Sequence, residues 1–94
     1  VINAIMVDAS HGNSKKVFKN QIGVIEDLHS QITSNSDTSN IKGIMIESNL
    51  VEGNQPISDN LEYGKSITDA CLGWEDTVVC LNKIADAVNK NNGA

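Results

Sequence analysis

The sequence predicts an α/β fold built on parallel strands, and three features carry that prediction. Ile5-Met6-Val7 is an apolar run that ends in a polar cluster, Asp8-Ala9-Ser10-His11-Gly12-Asn13-Ser14. Gly43-Ile44-Met45-Ile46 repeats the arrangement by running into Glu47-Ser48-Asn49. Between the two lies a segment whose apolar residues recur at helical spacing. Neither apolar run alternates as a half-exposed antiparallel strand does; a continuous run marks a strand covered on both faces, as in parallel sheets. Binding and catalytic groups of α/β proteins collect at the C-terminal tips of their strands. Two such tips, each carrying a potential ligand, set the functional question.

Taken in order, the first strand is expected over residues 2–8. Asn13 and Ser14 are good N-cap residues for the helical stretch after them. Phe18, Ile22, Ile25, Leu28 and Ile32 then make an apolar stripe, with Lys15, Lys16, Lys19, Glu26 and Asp27 elsewhere on the wheel. This predicts a helix over about 15–33. Gly23 weakens its middle by about 1 kcal/mol relative to Ala, which favours a late start. Thr33 to Asn40, TSNSDTSN, holds nothing apolar and reads as a loop. A second strand is expected over 41–47, followed by a long loop over 48–72 punctuated by Gly53, Pro56, Asp59, Asn60 and Gly64. Loops of that length without periodicity are functional or disordered. A last helix is expected over about 75–90. It has acids Glu75 and Asp76 in its first turn, and Val78, Leu81, Ile84, Ala85 and Val88 form its apolar stripe.

Repeated βα units imply a parallel sheet. Two strands leave sheet edges and apolar faces uncovered, so the pattern predicts missing neighbours, from more of the same chain or from another copy. The first strand starts without a preceding turn or cap, and the N-terminus reads as cut from something longer.

With 94 residues the chain allows one small domain at most. At that size about 60–65% of the unfolded chain's surface is buried. Phe18, Tyr63 and Trp74 are a thin supply of large core side chains. The net charge of −5, with seven lysines and no arginine, gives no basic patch for nucleic acid or an anionic membrane surface. No run is long enough to span a bilayer and no signal-peptide pattern opens the given sequence; a cytoplasmic location is expected from the cysteine usage. Cys71 and Cys80 form neither a CxxC pair nor a disulfide framework and read as two reduced thiols.

In a parallel sheet both strand tips lie at one end, with neighbouring strands about 4.8 Å apart. If the two strands are adjacent, His11 and Glu47 converge there. Asp69 lies in the long loop, which can fold back over the tips. One imidazole and two carboxylates suit a divalent first-row ion: Mn²⁺, Fe²⁺, Co²⁺ or Zn²⁺. On spacing alone, however, a histidine at a strand end is more often a hydrogen-bonded structural residue. Asp8 reads as a brace for the Ser10–Ser14 turn rather than a reacting group. His29 reads as a surface or packing residue, and Lys15, Lys16 and Lys19 as a solvated helix face rather than a phosphate cradle. Cys71 reads as a buried structural thiol. Gly53 and Gly64 form no nucleotide-binding loop, and there is no nucleophile elbow.

Three blocks take the reading further. They are Asp8-Ala9-Ser10-His11-Gly12-Asn13-Ser14, then Met45-Ile46-Glu47-Ser48-Asn49-Leu50-Val51-Glu52-Gly53-Asn54-Gln55, then Tyr63-Gly64-Lys65-Ser66-Ile67-Thr68-Asp69-Ala70-Cys71-Leu72-Gly73-Trp74. In this order and at these separations they closely resemble the C-terminal end of the type I 3-deoxy-D-arabino-heptulosonate-7-phosphate (DAHP) synthases, the first enzymes of the shikimate pathway. The resemblance covers nearly the whole chain, with residues 33–40 the least family-like part. It implies a (β/α)8 TIM barrel of which this segment is the last two βα units. It also implies that His11, Glu47 and Asp69 are metal ligands. The family's fourth ligand is a first-strand cysteine that neither Cys71 nor Cys80 matches. Most of the family's phosphate-holding Arg and Lys, and its region for the inhibiting aromatic amino acid, lie upstream of the matching blocks. The implied reaction is a metal-dependent condensation of phosphoenolpyruvate with erythrose 4-phosphate, in which Asp69 is a candidate proton handler.

The resemblance predicts that the 94 residues alone are inactive. Two alternatives stand beside it: a non-catalytic fragment that associates with itself to cover its sheet, and another metal-dependent TIM-barrel lyase or aldolase.

Overall fold

A computed structural model describes residues 4–15, 17–34 and 41–91. The elements run β1 (Ile5–Asp8), α1 (His11–Ser14), α2 (Asn20–Ser34), β2 (Ile41–Met45) and α3 (Trp74–Asn91). β1 and β2 pair in parallel, with Met6 opposite Gly43, Val7 opposite Ile44 and Asp8 opposite Met45; the register slips between Ile5 and Met6. The pairing continues one residue past the strand, where the Ala9 N–H donates to the Met45 carbonyl at 2.8 Å. Both strand tips therefore lie at the same end of the sheet.

Helices α2 and α3 pack on each other and on one face of this sheet. The core between them holds Ala9, Ile25, Leu28, Leu72 and Cys80, with Val7, Ile44 and Ile46 of the sheet and Phe18, Ile22 and Ile84 of the helical layer against it. Coverage on both faces was the expectation from the apolar runs. Among the described residues the helices cover one face only. On the other, Met6 is 71% exposed, and its side chain lies over Gly43, where an added Cβ would sit 3.0 Å from Met6 Cε.

The first helix departs from its expected bounds of 15–33. Asn13 and Ser14 do not cap it; they belong to the single turn α1, which Lys15 ends by adopting a left-handed backbone (φ 55°). The chain re-enters a helix only at Asn20, through tight bonds from Asn20 to Val17, Gln21 to Phe18 and Ile22 to Lys19. The late start thus comes from the turn at Lys15, since Gly23 sits inside α2 on an open surface. Of the expected first strand, residues 2–3 lie outside the described residues, as does most of the polar stretch 33–40.

The long connection from 46 to 73 is ordered without helix or strand of its own. Its two arms are laced together by Asn49 to Leu72, Val51 to Gly64, Gln55 to Ser66 and a reciprocal pair between Gly53 and Cys71. Two amide side chains fill the gaps: Gln55 bonds the main chain of Glu62 and Lys65, and Asn54 bonds the Thr68 carbonyl. At the turn, Gly64 has φ 80°, and a Cβ there would meet Leu50 at 2.8 Å. No helix is long and apolar enough to cross a membrane among the described residues.

Candidate metal centre

The end of β1 sets the first half of the site. The Asp8 carboxylate accepts the Ser10 N–H at 2.8 Å through one oxygen and meets His11 Nδ1 at 2.8 Å through the other. The Asp8 carbonyl accepts from the Asn13 side-chain amide at 2.6 Å. These bonds hold His11 in a left-handed backbone (φ 43°), which a side chain with a β-carbon rarely adopts. The turn so formed aims Nε2 across the tip of the sheet. Asp8 braces the turn as expected, and it also orients the imidazole.

Glu47 stands two residues beyond β2, and Asp69 is delivered by the laced loop. His11 Nε2 lies 3.2 Å from Asp69 Oδ2 and 3.4 Å from Glu47 Oε1. One ligand atom from each of the three side chains falls within 4.8 Å of the others. The residues that spacing alone left open are therefore brought to one point. Ser10 Oγ donates to Glu47 Oε1. Gln21, fully buried, bonds both the N–H and the carbonyl of Glu47. The sequence reading missed these two supports. The signal for Gln21 was present, because it falls on the same helical stripe as Phe18, Ile25 and Leu28 and is the one polar side chain there.

The charge balance follows from this packing. The hydrogen bond that the ring donates to Asp8, and then that to Asp69, raise the His11 pKa above its ordinary value near 6.5. The same bond to His11 holds the Asp8 carboxyl below its usual value. Three carboxyl groups thus surround one imidazole, Asp8 at Nδ1 and Glu47 and Asp69 at Nε2, an arrangement that favours positive charge there, on the ring or on a cation. Donor atoms held at about 2.0–2.1 Å around a single ion lie about 2.8–3.4 Å from each other. The two separations at Nε2 fall within that spacing. With its proton on Nδ1 against Asp8, the neutral imidazole turns the Nε2 lone pair to the same point. The residues present fit a divalent ion.

A cavity of about 190 Å³ opens beside this point, lined by Ser10, His11, Ser14, Phe18, Glu47, Asp69 and Ala70. Its lining carries no lysine among the described residues. Lys19, from the set read as a solvated face, pairs with Glu52 at 3.7 Å, and Lys15 is exposed; the Lys16 side chain lies outside the described residues. His29 pairs with Asp86 of α3 at 2.7 Å, far along the chain from the tips. Cys71 and Cys80 are free and buried, and burial raises both thiol pKa values.

Comparison with known proteins supports the motif reading. Residues 1–82 match the sequence model described as the DAHP synthetase I family. The Phe-sensitive phospho-2-dehydro-3-deoxyheptonate aldolase of Escherichia coli K12 is 50% identical over 91 residues, which are 95% of this chain and 25% of that protein. The phenylalanine-inhibited enzyme of the same name from Saccharomyces cerevisiae is 44% identical over 95 residues, covering 96% of this chain and 25% of the relative. The solved structure of the phospho-2-dehydro-3-deoxyheptonate aldolase from Francisella tularensis SCHU S4 superposes with a TM-score of 0.88 at 45% identity, over 96% of this chain and 26% of that one. The chain therefore spans about a quarter of the length of the relatives it matches. On the strength of the family match and these identities, the chain belongs to the DAHP synthetase I family.

Proposed function

We propose that these residues form the last two βα units of the (β/α)8 barrel of a DAHP synthase. The enzyme so completed condenses phosphoenolpyruvate with erythrose 4-phosphate in the first step of the shikimate pathway. In this reading His11, Glu47 and Asp69 are three ligands of a divalent ion, Mn²⁺, Fe²⁺, Co²⁺ or Zn²⁺. The observation that carries the reading is the convergence of these three side chains at the common tip of two parallel strands.

Such an ion, when bound, supplies a Lewis acid that stabilises negative charge developing on the aldehyde oxygen. The chain's own residues prepare the place. Asp8 keeps a proton on Nδ1 of His11 and leaves Nε2 as the donor atom. Ser10 holds one oxygen of Glu47 by hydrogen bond. Asp69, the most exposed of the three, sits on the cavity wall where a proton can be passed. Among the described residues the cavity wall carries no lysine for the two substrate phosphates, and in this reading the groups that hold them come from the other barrel units.

Two assays test the reading. The 94 residues alone, given both substrates and Mn²⁺, are expected to show no turnover. A complete synthase carrying this segment is expected to turn over and to lose activity by about a thousandfold or more with His11→Ala, since that change removes a ligand from the reacting centre. Wild-type turnover by that variant would refute the assignment. The uncovered sheet face around Met6 favours association with the remaining barrel units or with a second copy. Light scattering of the isolated chain reads the second case as a mass that rises with concentration.

A further inference from the structure

We propose that Gln21 is a positioning residue for this centre: its side-chain amide fixes the main chain of Glu47 and so aims the Glu47 carboxylate at His11 and Asp69. The inference rests on the reading of these three residues as metal ligands.

Gln21 lies in the first turn of α2 and is 0% exposed. Its Oε1 accepts the Glu47 N–H at 2.9 Å, and its Nε2 donates to the Glu47 carbonyl at 3.0 Å. A paired donor and acceptor of this kind is what a neighbouring strand ordinarily offers. Among the described residues no strand offers it here, because the β1–β2 pairing ends with the bond from Ala9 to Met45 and β1 then turns into α1. The helix that follows β1 supplies the missing partner through one side chain. From the loop, the Leu72 N–H donates to the same Glu47 carbonyl at 3.0 Å. Glu47 is thus held by α2, by the loop and, at its carboxylate, by Ser10.

Four polar side chains are buried among the described residues, namely Ser10, Ser14, Gln21 and Thr77, and two of the four bond Glu47. Burying an amide among apolar neighbours is unfavourable unless both of its ends are paired. Gln21 meets that condition through Glu47 alone. The chemistry is also specific to glutamine. Asn is one methylene short, an ionised Glu has no donor for the carbonyl, and Met fills the volume with neither group.

The test uses a complete synthase carrying this segment, with Mn²⁺ alone as the probe. Free and bound ion are counted by electron paramagnetic resonance, and melting is followed in parallel. Gln21→Met is expected to raise the Mn²⁺ Kd about tenfold or more, the range seen when an outer partner of a ligand is lost, and to alter the spectrum of the bound ion. Gln21→Glu keeps the acceptor and is expected to fall between Met and wild type. Ile25→Val, one turn on in the same buried stripe, is expected to lower the melting temperature and leave the Kd unchanged. A Gln21→Met protein that melts early yet binds Mn²⁺ with the wild-type Kd and spectrum overturns the proposal, since the amide is then structural only. If Gln21→Met does not fold, a wild-type Kd for Gln21→Glu overturns it equally. A wild-type Mn²⁺ Kd for His11→Ala overturns the metal reading itself, whatever the Gln21 variants do.

Discussion

Replacing Asp8 by Asn isolates what orients the imidazole. The wild-type carboxylate satisfies two donors at once, the Ser10 N–H and His11 Nδ1, each at 2.8 Å. The amide of Asn has one acceptor and one donor end. With its oxygen kept on Ser10, its NH₂ faces His11 Nδ1, and the imidazole must offer a lone pair there. The ring proton then moves to Nε2, the atom that faces Glu47 and Asp69. Losing such an outer partner weakens metal affinity about 10–100-fold. The pH dependence separates this from a general loosening. The Asp8 bond is the largest cause raising the His11 pKa. Metal binding at the proposed site needs the neutral ring, so wild-type Mn²⁺ affinity is expected to climb as pH rises through a midpoint above 6.5. In Asp8→Asn that midpoint moves down towards 6.5, while the plateau at high pH is weaker. In the metal-free protein the sign reverses: the contribution of protonated His11 to stability is full below about 6.5 and is lost as pH rises through its raised value. A Mn²⁺ titration at several pH values, followed by electron paramagnetic resonance, reads both numbers. An unchanged plateau, or a midpoint that moves up, would refute the tautomer argument.

Three further outcomes are expected. Gly64→Ala forces a β-carbon into a left-handed backbone at 2.8 Å from Leu50. It is expected to destabilise the loop by about 1–3 kcal/mol, read as faster proteolysis between 50 and 70 and weaker Mn²⁺ binding through Asp69. Leu72→Ala empties a fully buried position in the core and is expected to lower stability by about 2–5 kcal/mol in urea unfolding; a change under 1 kcal/mol would contradict the packing. The Asp86 carboxyl is held below its ordinary 3.8, first by the bond to His29 and then by Lys90. Its contribution is present above pH 3.8 and lost as pH falls through the lowered value. His29→Ala is therefore expected to move acid unfolding to higher pH, with circular dichroism reporting loss of the α2–α3 pair; no movement would show the bond to be idle.

The parts of this fold that were legible in the sequence are those with a period or a run. Ile5–Val7 and Gly43–Ile46 announced parallel strands, and the stripe through Ile25, Leu28 and Ile32 announced α2. The start of α2 was not legible, because it depends on a left-handed residue at Lys15 that no pattern marks. The connection from 46 to 73 showed no period because its order comes from main-chain bonds between arms distant in sequence, with the side-chain amides of Asn54 and Gln55 filling the gaps. For the site, the strand-tip rule brought forward His11 and Glu47, the fold-back of the long loop brought forward Asp69, and the motif resemblance made all three expected ligands. Their supports were harder to see. Ser10 and Gln21 matter through partners 37 and 26 residues away, and only the misplaced polarity of Gln21 on an apolar stripe hinted at a buried bond.

The left-handed backbone at His11 puts heat resistance and the proposed metal ligation in opposition at one codon. Glycine, and to a lesser degree asparagine, relaxes in that conformation where histidine is strained. A library of variants sorted only for survival at high temperature would therefore drift toward glycine at position 11 and discard the imidazole in doing so. Engineering this segment for robustness has to leave that residue under tension and seek its gains elsewhere, in the exposed positions of α2 and α3.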